Sequence, residues 1–265
     1  IRRPPRSTQG VASAASDVYK SLVIGEAIKS GRKPKFVYLI ATFQNPQGWT
    51  IPEDRRKELL AVTQKHGVPI LEDDCYADNR YDGDLPTSMA NLDDTNSVMY
   101  VGSFSKTIAP GMSLGYMTAP KLILDRAMGV KSGRVSEFTA MAVEKYARKY
   151  LDSHIEEINS IQRTKRDAML AALGENFGTS AEWSNPDGGL YIWVKLKEGS
   201  DIVALNQRSV SEIDVGFHPG TNYSPTGKTG QDHIRLCYGY NEPEDITEGI
   251  SRLANFLHKE GVLDS

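Results

Sequence analysis

Lys106 closes the run Gly102-Ser103-Phe104-Ser105-Lys106, directly after the apolar stretch Val98 to Val101. Two other polar groups come earlier in the chain, each also at the end of a short apolar run: Asn45-Pro46-Gln47-Gly48 and Glu72-Asp73-Asp74-Cys75-Tyr76. A lysine alone carries no information, since most lysines are solvated surface residues. The three groups together are complementary. A primary amine condenses with an aldehyde to form a Schiff base. A carboxylate stabilises a protonated ring nitrogen beside it. A phenol and a side-chain amide hydrogen-bond a ring oxygen, and serine hydroxyls serve phosphate oxygens.

Pyridoxal 5′-phosphate (PLP) has the aldehyde, the pyridine nitrogen, the ring hydroxyl and the phosphate that such a set would meet. On this reading Lys106 carries the Schiff base and Asp73 faces the pyridine nitrogen. Tyr76 and Asn45 serve the ring hydroxyl oxygen, and Ser103 and Ser105 offer hydroxyls to the phosphate. Asn45, Asp73 and Lys106 each fall just past the carboxyl end of a predicted strand, where ligands sit in α/β sheets.

The elements that must position them follow from the apolar pattern. Asp17 to Lys29 has helical spacing and stops at Ser30-Gly31. Lys35 to Thr42 is a nearly continuous run of β-formers and reads as a strand buried on both faces. Thr50-Ile51-Pro52-Glu53 has the form of a capping box opening a helix that runs to His66, with Gly67 beyond it. Val68 to Leu71, Val98 to Val101 and Leu114 to Ala119 are further strands, with a polar loop from Arg80 to Asn96 between the first two. Strands alternating with helices imply a mostly parallel α/β sheet.

From Leu122 to Phe177 the pattern is largely helical. After Asn185-Pro186-Asp187-Gly188-Gly189 the texture changes. Leu190 to Leu196, Asp214 to Phe217 and Ile234 to Tyr238 read as strands, and Glu242 to Lys259 as a final amphipathic helix. The expected domains are 9–150, a partial cofactor-binding large domain, and 151–265, a small α+β domain. Residues 1–8 (Ile1 to Thr8) resemble translated sequencing-adapter sequence and are set aside as an artefactual or disordered leader.

Composition narrows the classes. The 265 residues are 39% hydrophobic and 25% charged, ordinary for a globular protein with a real core. A formal net charge of −3 argues against a nucleic-acid surface, and the longest apolar runs are far short of a membrane span. Two cysteines, Cys75 and Cys237, form no disulfide framework, so a reducing, cytoplasmic setting is expected. The five histidines are scattered, and no metal site is expected.

From Pro34 to Gly115 the chain resembles the fold-type I PLP enzymes, above all class I/II aminotransferases of the α-aminoadipate/kynurenine and aromatic type. The resemblance rests on Tyr38 to Gly48, Glu72 to Tyr76, and Gly102 to Lys106 with Pro110-Gly111. It continues through Pro186 to Trp193, Phe217 to Gly220 and Ile234-Arg235-Leu236. The family's tyrosine lies three residues after its functional aspartate, which favours Asp73 over Asp74. The resemblance also implies that Arg235 grips the substrate α-carboxylate, with Asn45 beside it. It implies amino-acid and 2-oxo-acid substrates and a homodimer.

Two departures stand out. Ser113 occupies the place of the family arginine that pairs with the cofactor phosphate. The family's N-terminal part, with its phosphate cradle, stacking aromatic and part of the dimer contact, is missing, so a truncated chain with impaired PLP binding is expected. A different PLP reaction, such as a lyase or decarboxylase reaction, and the non-enzymatic sensor half of a transcription regulator are the alternatives to an aminotransferase. Tyr116, Tyr191, Trp193 and Tyr238 read as packing residues.

Overall fold

The structure, a computed structural model, describes residues 24–264. The leader expected at residues 1–8 lies outside them, as does the first part of the expected Asp17–Lys29 helix. Residues 24–29 are helical, and Gly31 takes a positive φ of 76° just after them. The chain divides into two compact units. The first comprises the residues up to Thr42, Trp49–Asp78 and Asp84–Ile155. The second comprises Phe43–Gly48, Asn79–Gly83 and Glu156 onward.

The first unit is built on a four-stranded sheet in the order β1-β2-β3-β4. These strands are β1 (Val37–Leu39), β2 (Ile70–Asp73), β3 (Val98–Ser103) and β4 (Gly115–Thr118). The first three are parallel and β4 is antiparallel to β3. Helix α1 (Glu53–Lys65) links β1 to β2, and the single turn α2 (Met89–Leu92) precedes β3. Helix α3 (Lys121–Val130) and the start of the 40-residue α4 (Glu137–Asn176) follow.

Side chains alternate across a strand, and the alternation sorts this sheet into two faces. Leu39, Ile70 and Val98 are buried in a core with Leu60 of α1, Ile51 and Met89. The register aligns Tyr38 with Leu71, Asp73 with Val101, and Ser103 with Gly115. Tyr38, Leu71, Asp73, Val101 and Ser103 therefore share the opposite face.

The second unit has an antiparallel sheet in the order β5-β6-β8-β7. Its strands are β5 (Glu182–Trp183), β6 (Tyr191–Lys195), β7 (His218–Pro219) and β8 (His233–Cys237). Ile192, Val194, Ile234 and Leu236 point into a core with α5 (Ile202–Ile213), α6 (Pro243–Lys259) and the C-terminal part of α4. Helix α6 buries Ile246, Ile250, Leu253 and Leu257, the spacing of one helical face. The other face of the sheet carries Tyr191, Trp193, His233 and Arg235.

Five details differ from the sequence reading. The strand expected at Lys35–Thr42 pairs over only three residues and is not buried on both faces, because Tyr38 is 54% exposed. The helix cap falls at Pro52 and not at Thr50, the position the expected capping box gave it. Pro52 is the N-cap without a side-chain bond, and the Glu53 carboxylate is taken by Lys57 and Thr87. The Arg80–Asn96 loop contains α2, whose first N–H groups are capped by Glu72 and Ser88. Asp214 to Phe217 is not a strand: Asp214 adopts a left-handed conformation at the end of α5, and pairing begins only at His218. Helix α5 itself and β5 had no counterpart in the sequence reading.

Candidate active site

Asp73 is the last residue of β2, and its carboxylate accepts a 2.7 Å hydrogen bond from the Tyr38 hydroxyl. The neighbouring acids have other duties. Glu72, on the core face, is fully buried and accepts from the backbone N–H groups of Met89 and Ala90, both at 2.9 Å. Asp74 takes the Tyr100 hydroxyl at 2.9 Å, and burial pushes its carboxyl up. Of the three acids, Asp73 alone shares the sheet face that carries Ser103. Tyr76 follows in the turn after β2 and is 4% exposed.

Cys75 reports on the surroundings of Asp73. Burial first, then the Asp73 charge and a hydrogen bond to it, push the thiol up to about 12. The positive charge of Lys106 acts on the same thiol in the opposite direction. The Asp73 carboxylate and the Lys106 amine thus both lie within electrostatic reach of one half-buried group.

The loop that carries Lys106 is tightly tied. The Ser103 hydroxyl accepts from the Ser105 N–H at 3.1 Å, which leaves the hydroxyl proton as the part able to serve an anion. Phe104 N–H donates to Leu114 and Ile108 N–H to Phe104. The Thr107 hydroxyl donates to Asp78 at 3.2 Å, and its carbonyl meets His154 Nε2 at 2.9 Å. A side chain at Gly102 would meet the outer end of the Tyr116 ring, which would have to move aside. Ser113, exposed and left-handed (φ 46°), ends the short 3-10 turn that leads into β4.

In the second unit, Asn45 follows Phe43 and Gln44 and precedes Pro46 through a cis peptide bond. Its Oδ1 accepts from Arg235 Nη1 at 2.9 Å. The Arg235 guanidinium carbon lies 4.1 Å from the centre of the Tyr191 ring and 5.1 Å from that of Tyr223. Its Nε is buried without a hydrogen-bond partner among the described residues. Trp193 stacks on His233 and meets Tyr223 edge-on. Burial and the Arg235 charge push the His218 imidazole down. Tyr238 is fully buried and its hydroxyl bonds the Gly188 and Gly189 carbonyls, so its role is packing, as the sequence suggested.

Asp73, Tyr76, Ser103, Ser105 and Lys106 therefore fall in one unit, and Asn45 and Arg235 in the other. The family model described as aminotransferase class I and II matches residues 22–253. This chain belongs to that family. It is 36% identical over 239 residues to aromatic-amino-acid aminotransferase 1 of Thermococcus litoralis, covering 89% of this chain and 57% of that protein. Its fold is similar to that of α-aminoadipate aminotransferase from Thermus thermophilus, solved with N-(5′-phosphopyridoxyl)-L-leucine. That match has a TM-score of 0.84 and 30% identity, covering 89% of this chain and 62% of that one. An HTH-type transcriptional regulator of Bacillus subtilis is 30% identical over 238 residues, 86% of this chain and 48% of that protein. The chain thus spans less than two thirds of the length of each of these relatives.

The fold is that of the fold-type I PLP aminotransferases, and the residues present suit that cofactor. An amine and a carboxylate share one neighbourhood, and the adjoining loop carries two serines. Ser113 in place of a charged phosphate partner is the one weak point. Sequence reasoning missed Tyr38 and Tyr223. Tyr38 was traceable in principle, because in parallel pairing a residue on β1 reaches the face that carries Asp73. Tyr223 left no signal, since its contact to Arg235 comes from a turn. Among the described residues no group of three or more His, Cys, Asp or Glu is placed to hold a metal ion, and no helix is long and apolar enough to cross a membrane.

Proposed function

We propose that the chain is the PLP-binding part of an aminotransferase that moves an amino group between an amino acid and a 2-oxo acid. The observation that carries this reading is the sheet register, which puts Asp73 at the end of β2 on the same face as Ser103 at the end of β3, where the loop to Lys106 begins; it supports a carboxylate and an amine serving one ligand. When bound, PLP supplies the electron sink for the substrate α-carbon. Lys106 would hold the cofactor aldehyde, and its free amine would move the substrate α-proton as general base and then acid. Asp73 keeps the pyridine nitrogen protonated. Tyr76 and Asn45 donate to the ring oxygen, and Ser103 and Ser105 to the phosphate.

Arg235 takes the substrate α-carboxylate, a task that suits a planar fork of donors. Its bond to Asn45 uses one Nη1 hydrogen, and the buried Nε, without a partner among the described residues, supports an anion as ligand. Amino acids and 2-oxo acids are the proposed small-molecule partners. A cytoplasmic homodimer with a large domain at 9–150 and a small one at 151–265 completes the reading.

The likeness to a transcription regulator favours a second reading, a sensor domain that binds the same ligands without turnover. Multiple-turnover assays separate the two. The chain loaded with PLP is given an L-amino acid and 2-oxoglutarate. Repeated release of the matching 2-oxo acid, abolished by Lys106→Ala, is expected. Release of CO2 or ammonia would replace transamination by another PLP reaction, and ligand binding without turnover would favour the sensor.

A further inference from the structure

We infer that Tyr38 is a positioning residue for the Asp73 carboxylate: its hydroxyl holds Oδ2 and so presents Oδ1 to the cofactor ring nitrogen. The inference rests on the PLP reading of Asp73 and adds to it a residue outside the sequence-derived site. Three observations carry it. The phenol donates to Oδ2 at 2.7 Å, the short distance of a bond to a charged acceptor. The bond crosses strands: Tyr38 sits in β1 opposite Leu71, two residues before Asp73 on the same face, so sheet pairing fixes the donor. The ring is largely exposed, so the hydroxyl has water as an alternative partner, yet it is directed at the carboxylate.

A carboxylate at a strand end rotates about two side-chain bonds. Tying one oxygen removes that freedom and leaves the second oxygen with a fixed direction, the preorganisation that strengthens binding without new ligand contacts. Burial, with Asp73 beside it, pushes the Tyr38 phenol up, so it stays protonated and donates to the carboxylate. The Cys75 thiol, neutral for the same reasons, also bonds Asp73. The Asp73 carboxylate thus sits in a small collar of neutral donors.

The test is a double-mutant cycle on PLP affinity, read by equilibrium dialysis of the purified chain. Tyr38→Phe deletes only the hydroxyl of a half-exposed ring. It is expected to weaken PLP binding about three- to tenfold, the value of one hydrogen bond that is not itself to the ligand. Asp73→Asn weakens it further, and in that background Tyr38→Phe is expected to have no additional effect. Equal weakening by Tyr38→Phe in both backgrounds overturns the inference, because a merely structural tyrosine does not act through Asp73. Unchanged affinity in Tyr38→Phe, with wild-type chain and Asp73→Asn behaving as expected, overturns it while leaving the PLP reading intact. Wild-type affinity in Asp73→Asn overturns both.

Discussion

Arg56 offers a demanding test of how the Asp73 strand is supported. It lies in Arg55-Arg56-Lys57 on α1, yet its side chain is fully buried. Nε donates to Ile51 O at 2.8 Å and Nη1 to Thr87 O at 3.1 Å. Nη2 donates to Ala41 O at 3.1 Å and to Thr42 Oγ1 at 2.9 Å. Its Nη1 is 3.9 Å from Glu72 Oε1, the residue before Asp73. Burial pushes the Arg56 guanidinium down and the Glu72 carboxyl up, and each charge opposes the other's shift.

Arg56→Met keeps an apolar stem and removes the charge. Three carbonyls and a hydroxyl lose a donor, and Glu72 keeps only its two backbone donors. Breaking one side of a buried pair costs about 3–5 kcal/mol, and we expect a loss in that range. The double variant Arg56→Met/Glu72→Gln leaves no buried charge. Its loss should be about 1–2 kcal/mol smaller than the sum of the two single losses. Urea unfolding at 25 °C and pH 7, followed by far-UV circular dichroism, reads both numbers. A loss below about 1 kcal/mol for Arg56→Met, or strict additivity in the double variant, would refute the reasoning.

Three further outcomes are expected. Asp93 is pushed up by burial, but bonds from Thr95, Val98 and Ser97 outweigh this and hold it at about 2, below its ordinary 3.8. Its folded value lies below the unfolded one, so its stabilisation is complete above roughly pH 4 and fades as pH falls toward 2. Asp93→Asn should shrink that acid-side loss by about 1 kcal/mol after discounting for partial exposure, read from urea midpoints at pH 2 to 5. Cys75, with its thiol at about 12 rather than the ordinary 9.0, should be alkylated by iodoacetamide at pH 8 about a thousandfold more slowly than a thiol at the ordinary value. Peptide mapping should accordingly find the label on exposed Cys237 first. Ser113→Arg restores a cation beside the Lys106 loop, where Leu114 O already accepts from Phe104 N–H. It is expected to tighten PLP binding about ten- to a hundredfold, measured by dialysis. No gain would show that a cation at position 113 does not serve the phosphate.

Much of the first unit was legible because its strands are short apolar runs that stop at polar groups. Parallel pairing then puts Asp73 and Ser103 on one face with no further assumption. The exact bounds were less legible: β2 extends through Asp73 and β3 through Ser103, two residues past the apolar signal in each case. Arg56 could not be read as buried, since Arg55-Arg56-Lys57 looks like a solvated helix face and its partners are backbone carbonyls. Tyr38 was hidden in a run whose apolarity suggested burial on both sides. The false strand at Asp214–Phe217 failed on one residue, because a left-handed Asp214 turns the chain before pairing starts. Arg235 was legible as a candidate from its motif, whereas its aromatic neighbours Tyr191 and Tyr223 come from tertiary packing.

The central claim is that Lys106 is the residue that bonds the cofactor. Mixing the purified chain with PLP, reducing with borohydride and mapping the labelled lysine by mass spectrometry tests it directly. The account predicts a visible absorption band before reduction and one dominant label on Lys106. Label spread over surface lysines, or a dominant label elsewhere, would contradict it.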